Sequence, residues 1–527
     1  MSTGTEERGA RTEPRRPSAA RAAVLFVVFV CAACGLVYEL ALVALGSYLI
    51  GDTIGQASIV LSLMVFAMGM GALAAKPLQR KAAAAFVGIE IALALLGGLS
   101  VLLLYAAFAW LSLYTPALVV MALVLGLLIG AEIPLLMVLL QRIRTQDAGS
   151  AVADLFAADY VGGLVGGLAF PFLLLPLFGQ LQGALVVGLL NAVAGLGLVF
   201  TVFRRELAKR ARLVLLLATV VVGAVLGYAY TWSDDFEVTA RQALYDDPIV
   251  RAERSQYQDI ALTRSVPLGG SPDTRLYLNG DLQFSSVDEY RYHEALVHPA
   301  MSGERRDVLV LGGGDGLALR EVLRYPDVEH VTLVELDPSV INLARTDPTV
   351  SALNRHAYDD PRVRVHTDDA FSWLRENRQR YDAVLVDMPD PDSTATAKLY
   401  SAEFYSLVRH AMAPGALVNV QAGSPYFAPK AFWCIASTMR EAGLTGTPFQ
   451  VSVPSFGEWG FHLARADRSA PPLRLAPDTP RLRSLDGPTL RAGGTFPPDR
   501  APLPNMPVST LLHPVIMEYA SQEWTNY

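Results

Sequence analysis

Apolar residues form long unbroken runs through the first 231 positions, whereas polar and apolar residues interleave in the rest of the chain. A helix needs about 20 predominantly apolar residues to cross roughly 30 Å of hydrocarbon. Seven runs reach that length, and each is predicted to span a membrane: residues 23–50, 54–75, 83–104, 116–140, 155–177, 181–203 and 213–231. The pattern predicts a multipass α-helical bundle over residues 23–231, in contact with a lipid bilayer and preceded by a cytoplasmic basic tail over residues 1–22.

Lysine and arginine occur on alternate connections of this bundle. They fall in the tail and in residues 76–81, 142–144 and 204–212, whereas residues 51–53, 105–115 and 179–182 contain none. The positive-inside rule assigns the basic connections to the cytoplasm, which predicts a cell (inner) membrane protein with a cytoplasmic N-terminus. Seven crossings would place the C-terminal half outside the cytoplasm. A miscount in the glycine- and proline-rich stretch 162–176 would reverse that side, so the side stays open.

A few polar residues lie inside the apolar runs. Ionisable groups at membrane depth are costly, and they face a bundle interior or a watery cavity. Four acids lie within the runs: Glu39, Glu90, Glu132 and Asp159. They could form a path for a cation or a polyamine, or they could hold helices together, and both interpretations stay open. Cys31 and Cys34 have C-x-x-C spacing, and within an apolar run they are interpreted as buried thiols rather than as a redox or metal pair.

Composition adds two constraints. The chain is 52% hydrophobic and only 18% charged, below the quarter or so that is typical of soluble proteins. Its formal net charge is -7, and it has no basic stripe outside the membrane flanks, which argues against nucleic-acid binding.

The segment after the bundle, residues 232–300, alternates apolar and polar positions and predicts a small β subdomain. Asn279-Gly280 follows such a strand and indicates a hairpin. A helix is predicted over residues 287–300. From residue 301 to 465, buried strands alternate with amphipathic helices, which predicts an α/β Rossmann-like, methyltransferase-type domain. The proline-rich residues 466–527 are predicted to be an irregular extension with a terminal helix over 508–519.

Four predicted strands of this domain end in glycine-rich or acidic sequence, and open α/β sheets bind ligands at that edge. The four ends are Gly312 to Gly316, Glu335 to Asp337, Asp368 to Asp369, and Asp387 to Pro391. Glu335 follows Gly316 by 19 residues, the position that binds ribose hydroxyls in nucleotide-binding βαβ units. The set predicts a cofactor that carries a nucleoside.

The charge of Asp315 narrows the choice of cofactor. A dinucleotide would bring its pyrophosphate against this carboxylate in the glycine loop. S-adenosylmethionine has no phosphate, and its decarboxylated form ends in a cationic amine that pairs with an acid. Asp315 would also repel the carboxylate of the parent compound.

Motifs in a fixed order make the chain resemble the spermidine/spermine synthase family of polyamine aminopropyltransferases over residues 250–465, and its apolar half resembles that of the membrane-bound members. The motifs are Tyr257-Gln258-Asp259, Gln283, Asp288 to Glu294, Gly312 to Gly316, Val334 to Asp337, Asp368-Asp369-Ala370, Asp387 to Pro391 and Leu399 to Tyr405.

The resemblance implies a role for each matching residue. The implied binding site for decarboxylated S-adenosylmethionine comprises the loop of Gly312 and Gly314, Gln258 and Asp315 at the aminopropyl end, Glu335 at the ribose, and Asp369 with Asp368 at the adenine. Asp387 would be the catalytic carboxylate. The residues implied for the amine are Tyr292 and Asp390, which orient it, and Gln283 and His293 in the same wall. Soluble relatives form dimers or tetramers, so a homo-oligomer is expected.

Three departures put the identity of the amine in doubt. Residues 418–424 lack the acid that soluble members place there for the far ammonium of the acceptor, Phe456 replaces a tyrosine, and the loop after Pro391 differs. Glu458 or Asp392 could replace the lost acid.

The leading hypothesis is transfer of an aminopropyl group from the decarboxylated donor to putrescine or a related amine, with release of methylthioadenosine and without a metal. The alternatives are an S-adenosylmethionine-dependent methyltransferase, and a polyamine transporter or sensor whose synthase-like domain only binds ligand.

Overall fold

The computed structural model describes residues 16–50, 53–111, 113–143, 148–203, 207–266 and 272–524. The chain forms two compact units, Met1–Asp246 and Asp247–Tyr527. Most of the predicted basic tail lies outside the described residues, as do Arg144, Arg204 and Arg205; the remainder of the tail is helical, because the first helix begins at Arg16.

The first unit is helical throughout its described length. Its helices are α1 (Arg16–Ile50), α2 (Thr53–Ala74), α3 (Ala82–Leu111), α4 (Tyr114–Ile143), α5 (Ala148–Ala169), α6 (Leu175–Thr201) and α7 (Lys209–Gln242). Among the described residues, six stretches are long and apolar enough to cross a membrane, against the seven predicted segments. The difference lies in one stretch of 47 residues, Val152–Leu198, which joins the fifth and sixth predicted segments. At ~1.5 Å per residue it would be about 70 Å long, over twice the hydrocarbon thickness.

Contacts between helices show that this stretch doubles back. Helices α1 and α3 are parallel, because Cys31 contacts Glu90 and Tyr38 contacts Gly97 further along both. Helices α1 and α5 are parallel for the same reason, with Phe29 at Gly162 and Ala33 at Gly166. Pairs along α3 and α6 run in opposite directions: Glu90 with Gly195, and Ala94 with Gly188. Helices α5 and α6 are therefore antiparallel. Gly179 lies between the two limbs with φ 68°, a conformation that glycine adopts without steric cost. The predicted segments 155–177 and 181–203 thus correspond to two antiparallel limbs.

The second unit opens with a four-stranded antiparallel sheet in the order β1-β2-β3-β4. The strands are β1 (Ile249–Arg254), β2 (Asp259–Ser265), β3 (Asp273–Leu278) and β4 (Asp281–Ser285). Asn279 and Gly280 join β3 to β4 with φ 53° and 95°. Two positive φ values are what a tight hairpin turn requires, and the predicted hairpin is confirmed. The next helix, α8, is shorter than predicted and covers Glu289–Val297.

A seven-stranded sheet forms the core of this unit, in the order β10-β11-β9-β8-β5-β6-β7. The strands are β5 (Asp307–Gly312), β6 (His330–Glu335), β7 (Val363–Thr367), β8 (Tyr381–Asp387), β9 (Met412–Gln421), β10 (Thr445–Val453) and β11 (Gly457–Arg465). β5 to β9 are parallel, and the hairpin of β10 and β11 adds antiparallel strands at one edge. β5 lies between β6 and β8, where the winding reverses and ligands bind in such sheets. The Rossmann-like prediction is confirmed.

Helices cover both faces of this sheet, so Val308 to Leu311 of β5 are fully buried. They are α9 (Leu317–Val322), α10 (Pro338–Thr346), α11 (Pro348–Leu353), α12 (Ala370–Glu376), α13 (Thr394–Ala397), α14 (Ala402–Ala411), α15 (Pro429–Glu441), α16 (Gly487–Gly493) and α17 (Val515–Trp524). The terminal helix begins after Pro514 rather than at residue 508, because a residue that precedes proline disfavours helical geometry. Glu523 anchors α17 by accepting the backbone N–H groups of Lys430 and Ala431 at the start of α15.

Candidate active site

The glycine loop after β5 forms the floor of the site. Gly312, Gly313 and Gly316 have φ values of 79°, 69° and 80°. A Cβ atom at Gly312 would lie 2.0 Å from the carbonyl oxygen of Asp387. Glycine is therefore required at this position for the ends of β5 and β8 to approach each other, and the loop lies directly beside Asp387.

Glu335 ends β6 and contacts the same loop. Its Oε2 accepts the Gly314 N–H at 3.1 Å, and its Oε1 accepts the Asp337 N–H at 3.0 Å. Burial raises the pKa of Glu335 to about 7, although these N–H groups favour the ionised form. A carboxylate fixed at the end of this strand can accept hydrogen bonds from the two hydroxyl groups of a ribose.

Asp337 connects the small sheet to the donor loops, a role that sequence reasoning missed. Its Oδ2 accepts the Gln258 Nε2–H at 3.0 Å and the Ser255 hydroxyl at 2.6 Å. Its Oδ1 accepts the Ser339 N–H at 2.9 Å and caps α10. Gln258 precedes β2, so Asp337 brings a side chain of the first sheet to the edge of the second. The Asp-Pro sequence at a helix start was the available signal.

Asp315 and His293 form a buried charged pair beneath the loop, and they are 8% and 2% exposed. Burial raises the pKa of Asp315, while the charge of His293 and the N–H of Leu317 oppose the rise. Burial acts to lower the pKa of His293, but the hydrogen bond to Glu289 and the charge of Asp315 outweigh it and raise the pKa to about 9. His293 is thus an imidazolium at neutral pH.

Glu289 and Arg320 fix the orientation of the His293 ring. Its Nδ1 lies 2.8 Å from the Glu289 carbonyl oxygen and 3.1 Å from Glu289 Oε2. Arg320 holds both carboxylate oxygens of Glu289 at 2.8 Å. The family resemblance places His293 in the amine wall, which stays a prediction; in the structure the ring is buried, and its charge interacts with those of Asp315 and Asp387.

Asp387 ends β8 at the centre of the site. Its Oδ1 accepts the Tyr292 hydroxyl at 2.5 Å. Burial raises the pKa of Asp387 to about 6, the charge of His293 and the Tyr292 hydrogen bond lower it, and Asp315 raises it. Tyr292 is 7% exposed and packs edge-on against Phe456, with ring centroids 6.1 Å apart. The arrangement suits a carboxylate that takes up a proton near neutral pH.

Three further acids interact through their charges: Asp281, Asp390 and Asp392. Burial raises the pKa of Asp390 to about 7, and the charges of Asp281 and Asp392 add to the rise. Burial and the charge of Asp392 raise the pKa of Asp281 to about 6. Mutual repulsion of this kind is relieved when a cation enters. Sequence reasoning missed Asp281, which lies at the start of β4 two residues before Gln283, where a β-bulge interrupts the alternation of the strand.

A hydrogen-bonded framework fixes the loop that carries Asp390. The Gln421 Nε2–H donates to the Tyr400 hydroxyl at 2.6 Å and lies 3.4 Å from Asp390 Oδ1. The Trp459 indole donates to Gln421 Oε1 at 3.2 Å, and the Tyr400 hydroxyl donates to the Pro389 carbonyl at 3.0 Å. Gln421 was part of the segment in which no acid was found, and its neutral amide orients the loop.

The two acids suggested as substitutes for the missing one differ in environment. Glu458 forms an ion pair with Arg500. The Asp392 carboxylate accepts the Thr396 hydroxyl at 3.2 Å, and its charge acts on Asp281 and Asp390. Asp392 is therefore the better placed of the two.

Asp369 and Asp368 lie at the end of β7. Asp369 Oδ1 accepts the Ser372 N–H at 2.9 Å and caps α12, while Oδ2 pairs with Lys398 Nζ at 2.6 Å. Burial acts to raise the pKa of Asp369, but Lys398 and the helix N–H groups outweigh it and lower the pKa. Asp368 is exposed, and its Oδ1 accepts the Asp369 N–H at 2.8 Å. Sequence reasoning did not anticipate the Lys398 contact.

Comparisons with known proteins bear on this site. The family described as "Spermine/spermidine synthase domain" matches residues 289–471. Polyamine aminopropyltransferase 1 of Streptomyces coelicolor is 60% identical, with 100% of both chains covered. A polyamine aminopropyltransferase of Mycobacterium tuberculosis is 48% identical and covers 96% of this chain and 97% of its own. The crystal structure of spermidine synthase from Thermotoga maritima covers 48% of this chain and 88% of its own, with 21% identity and a TM-score of 0.42.

Proposed function

Because the chain belongs to the spermine/spermidine synthase family, we propose that it transfers an aminopropyl group from decarboxylated S-adenosylmethionine to an amine. The observation that carries this proposal is the position of Asp387. It ends β8 beside the glycine loop, accepts the Tyr292 hydroxyl, and has a pKa raised to about 6 by burial. A base of that strength is ionised at neutral pH and can still accept a proton from a reacting amine.

The negative charge of Asp315 would make the donor site selective for decarboxylated S-adenosylmethionine. The ribose would bind Glu335, the adenine would bind near Asp369 and Asp368, and Gly312 and Gly314 would let the backbone approach the nucleoside. Asp315 and Gln258 would bind the aminopropyl end. A carboxylate on the donor would meet the buried Asp315, which supports the decarboxylated compound over its parent.

The reaction needs an uncharged attacking nitrogen. Alkylamines are mostly protonated at neutral pH, since they titrate near the lysine value of about 10.4. Asp387 would accept the proton, with Tyr292 and Asp390 orienting the amine and Gln283 lining the same wall. The nitrogen lone pair then forms a bond to the methylene carbon next to sulfur, and the C–S pair leaves with sulfur as the neutral thioether of methylthioadenosine. No charged leaving group forms.

The acceptor in this proposal is a di- or polyamine such as putrescine. One amine would lie at Asp387, and a second ammonium would lie among Asp281, Asp390 and Asp392. The mutual effect of these three carboxylates supports a cation there.

The membrane part of the proposal concerns sidedness and assembly. The alternating helix directions support seven crossings, so the second unit would lie across the membrane from the N-terminus. The basic connections assign that N-terminus to the cytoplasm. A homo-oligomer also stays a prediction, to be tested by the mass of the protein in detergent micelles.

The test is release of methylthioadenosine by the purified full-length protein given the decarboxylated donor and a panel of mono-, di- and polyamines. We expect release with diamines and none with S-adenosylmethionine. Calorimetry should show tighter binding of the decarboxylated donor. Tighter binding of S-adenosylmethionine would favour a methyltransferase, and binding without any turnover would favour a sensor.

A further inference from the structure

A cluster of polar side chains lies inside the helical bundle, where the reaction proposed above makes no use of it. Cys31 on α1, Glu90 on α3 and Glu132 on α4 are 3%, 0% and 6% exposed. One ligand atom from each residue lies within 4.8 Å of the others. The Cys31 thiol donates a hydrogen bond to Glu90 Oε1 at 3.3 Å. Three helices thus contribute one metal-ligating group each to a single buried point.

Neighbouring polar groups around this cluster have few hydrogen-bond partners. Within the described residues, the Tyr38 hydroxyl is buried without one, and Glu90 Oε2 and the Asn191 amide have none apart from each other. Tyr38 and Asn191 are each 1% exposed. The charge of Glu90 acts on Tyr38, and the Asn191 amide acts on Glu90, so both side chains face the cluster. Buried polar atoms with so few partners around two acids indicate a space that a ligand completes.

The helices that carry these acids contain no lysine or arginine near them in the sequence. Residues 22–75 and 82–141 hold all three ligating residues and contain no lysine or arginine. Glu90 lies eight residues inside the start of α3, which is about 12 Å along the helix. Carboxylates at membrane depth require either protons or a bound cation.

We propose that Cys31, Glu90 and Glu132 bind a divalent transition-metal ion of the zinc type inside the bundle. Zinc binds cysteine sulfur at ~2.3 Å and carboxylate oxygen at ~2.0–2.2 Å, so neighbouring ligand atoms in a tetrahedral site lie roughly 3.5 Å apart. The Cys31–Glu90 distance already has this size, and the Glu132 carboxylate needs only a side-chain rotation. Asn191, whose amide acts on Glu90, is the neighbouring residue that could supply a fourth ligand.

The chemistry of the three ligating groups favours a metal ion over an organic ammonium ion. Thiolate is a soft ligand that selects zinc-like ions, whereas an ammonium group prefers oxygen acceptors. Binding would replace the thiol proton: Cys31 loses its proton to water, and the metal takes the place of the Cys31–Glu90 hydrogen bond. The bound ion would tie α1, α3 and α4 together.

The test uses the full-length protein in lipid nanodiscs, purified through a tag without histidines and stripped with a chelator. Zinc content after reconstitution is measured by mass spectrometry, and Co²⁺ serves as a spectroscopic probe of thiolate ligation. We expect one ion per chain in the wild type with a sulfur-to-cobalt charge-transfer band. Cys31→Ser should lose the band and at least tenfold in affinity, and Glu132→Gln should lose affinity to a similar extent.

Cys34→Ser is the matched control, because Cys34 lies one turn away and its thiol faces the Val187 carbonyl oxygen instead. It should keep both the ion and the band. Zinc should raise the melting temperature of the wild type and of Cys34→Ser but not of Cys31→Ser, a comparison that holds even where a variant is less stable. Equal zinc content in all variants, no retained zinc in the wild type, or stabilisation by putrescine in place of zinc would overturn the proposal. Release of methylthioadenosine is assayed separately and does not depend on this outcome.

Discussion

The surroundings of Asp387 disfavour its ionised form, which is the form that can act as a base. Its carboxylate is buried beside Asp315, and one hydrogen bond from Tyr292 offsets part of that burial. We expect Asp387→Asn to lower kcat by about 10²–10⁴-fold, because an amide cannot accept the amine proton. Asp382→Asn is the control, since Asp382 lies near the opposite end of β8 and accepts the Asp307 N–H. An unchanged kcat in Asp387→Asn would contradict the role given to Asp387.

The same substitution should stabilise the fold. An acid whose pKa is raised in the native state opposes folding at every pH above its native pKa, and the penalty is relieved as the pH falls through that value. The shift from 3.8 to about 6 sets an upper limit of roughly 3 kcal/mol. The amide oxygen can still accept the Tyr292 hydroxyl, but the loss of charge weakens this bond and removes about 1 kcal/mol of the gain. Denaturant titrations of the unfolding of the second unit in the full-length protein at pH 8 should show Asp387→Asn more stable than the wild type, and the difference should shrink at pH 5.

The loss of activity at low pH should reflect the raised pKa values of Asp387 and Asp390. Asp387 and Asp390 have pKa values raised to about 6 and about 7, so their ionised forms are lost as the pH falls through that window. We expect kcat/KM to fall below pH 7 with an apparent pKa between these values, well above the ~3.9 of an ordinary aspartate. Carbon NMR of the carboxyl groups would separate this titration from that of the amine. Midpoints near pH 4 would contradict the environment described.

The sequence predicted which candidate residues stand at strand ends, because parallel strands bring their carboxyl ends to one edge. Asp315, Glu335 and Asp387 follow this rule. The sequence placed Asp337 at a strand end and Glu289 in a motif, but it did not predict their contacts with Gln258 and His293. A hydrogen bond between distant segments leaves no periodic trace in the chain.

An ion pair links the segment between β8 and α14 to the end of β7. Lys398 directly follows α13 and binds Asp369 Oδ2, and the family resemblance implies that Asp369 binds the adenine amino group. We expect Lys398→Met to lower the KM for the donor up to about fivefold, because a half-exposed ion pair contributes ~0–1 kcal/mol. Lys430→Met, on α15, is the control. A higher KM in Lys398→Met would mean that the lysine assists donor binding.

The start of β4 should determine which amines are accepted. Asp281 faces the cluster of Asp390 and Asp392, so its charge favours a second ammonium group. We expect Asp281→Asn to raise the KM for a diamine roughly fivefold to tenfold, which corresponds to about 1–1.4 kcal/mol, and to leave the KM for the donor unchanged. Glu304→Gln, in the exposed connection before β5, should change neither value. Equal effects on both substrates would contradict a role in acceptor choice.

Elements with strong periodicity were predictable, and elements set by local stereochemistry were less so. The carboxyl ends of β5, β6, β7 and β8 lie within a residue of the predicted ends, whereas the start of β9 at Met412 was not predicted. The terminal helix was displaced, because the apolar spacing of residues 508–514 suggested a helix that Pro514 prevents. The hairpin of β10 and β11 gave no clear signal before its pairing with β9 was visible.

For the whole molecule, the count of crossings decides on which side the chemistry takes place. Hydropathy alone merges residues 152–198 into one span, which leaves six. The antiparallel limbs on either side of Gly179 favour seven instead. Seven crossings would separate the N-terminus from the second unit, and a cationic donor would then need a route across the bilayer to reach Asp315. The supply of the donor therefore depends on which side of the membrane the second unit lies.

Single-cysteine labelling measures this directly, because the native thiols of Cys31, Cys34 and Cys434 are buried and should not react. Cysteine is introduced at the exposed positions Arg80, Leu113 and Arg378, which lie between α2 and α3, between α3 and α4, and in the second unit.

A membrane-impermeant maleimide is then applied to intact cells and to permeabilised cells. We expect Leu113→Cys and Arg378→Cys to react in intact cells, and Arg80→Cys to react only after permeabilisation, because the basic connection is held in the cytoplasm. Leu113→Cys serves as the control for external access. If Arg378→Cys were protected while Leu113→Cys reacted, the second unit would be cytoplasmic and one of the seven limbs would not cross. That result would also remove any need for a donor route through the membrane.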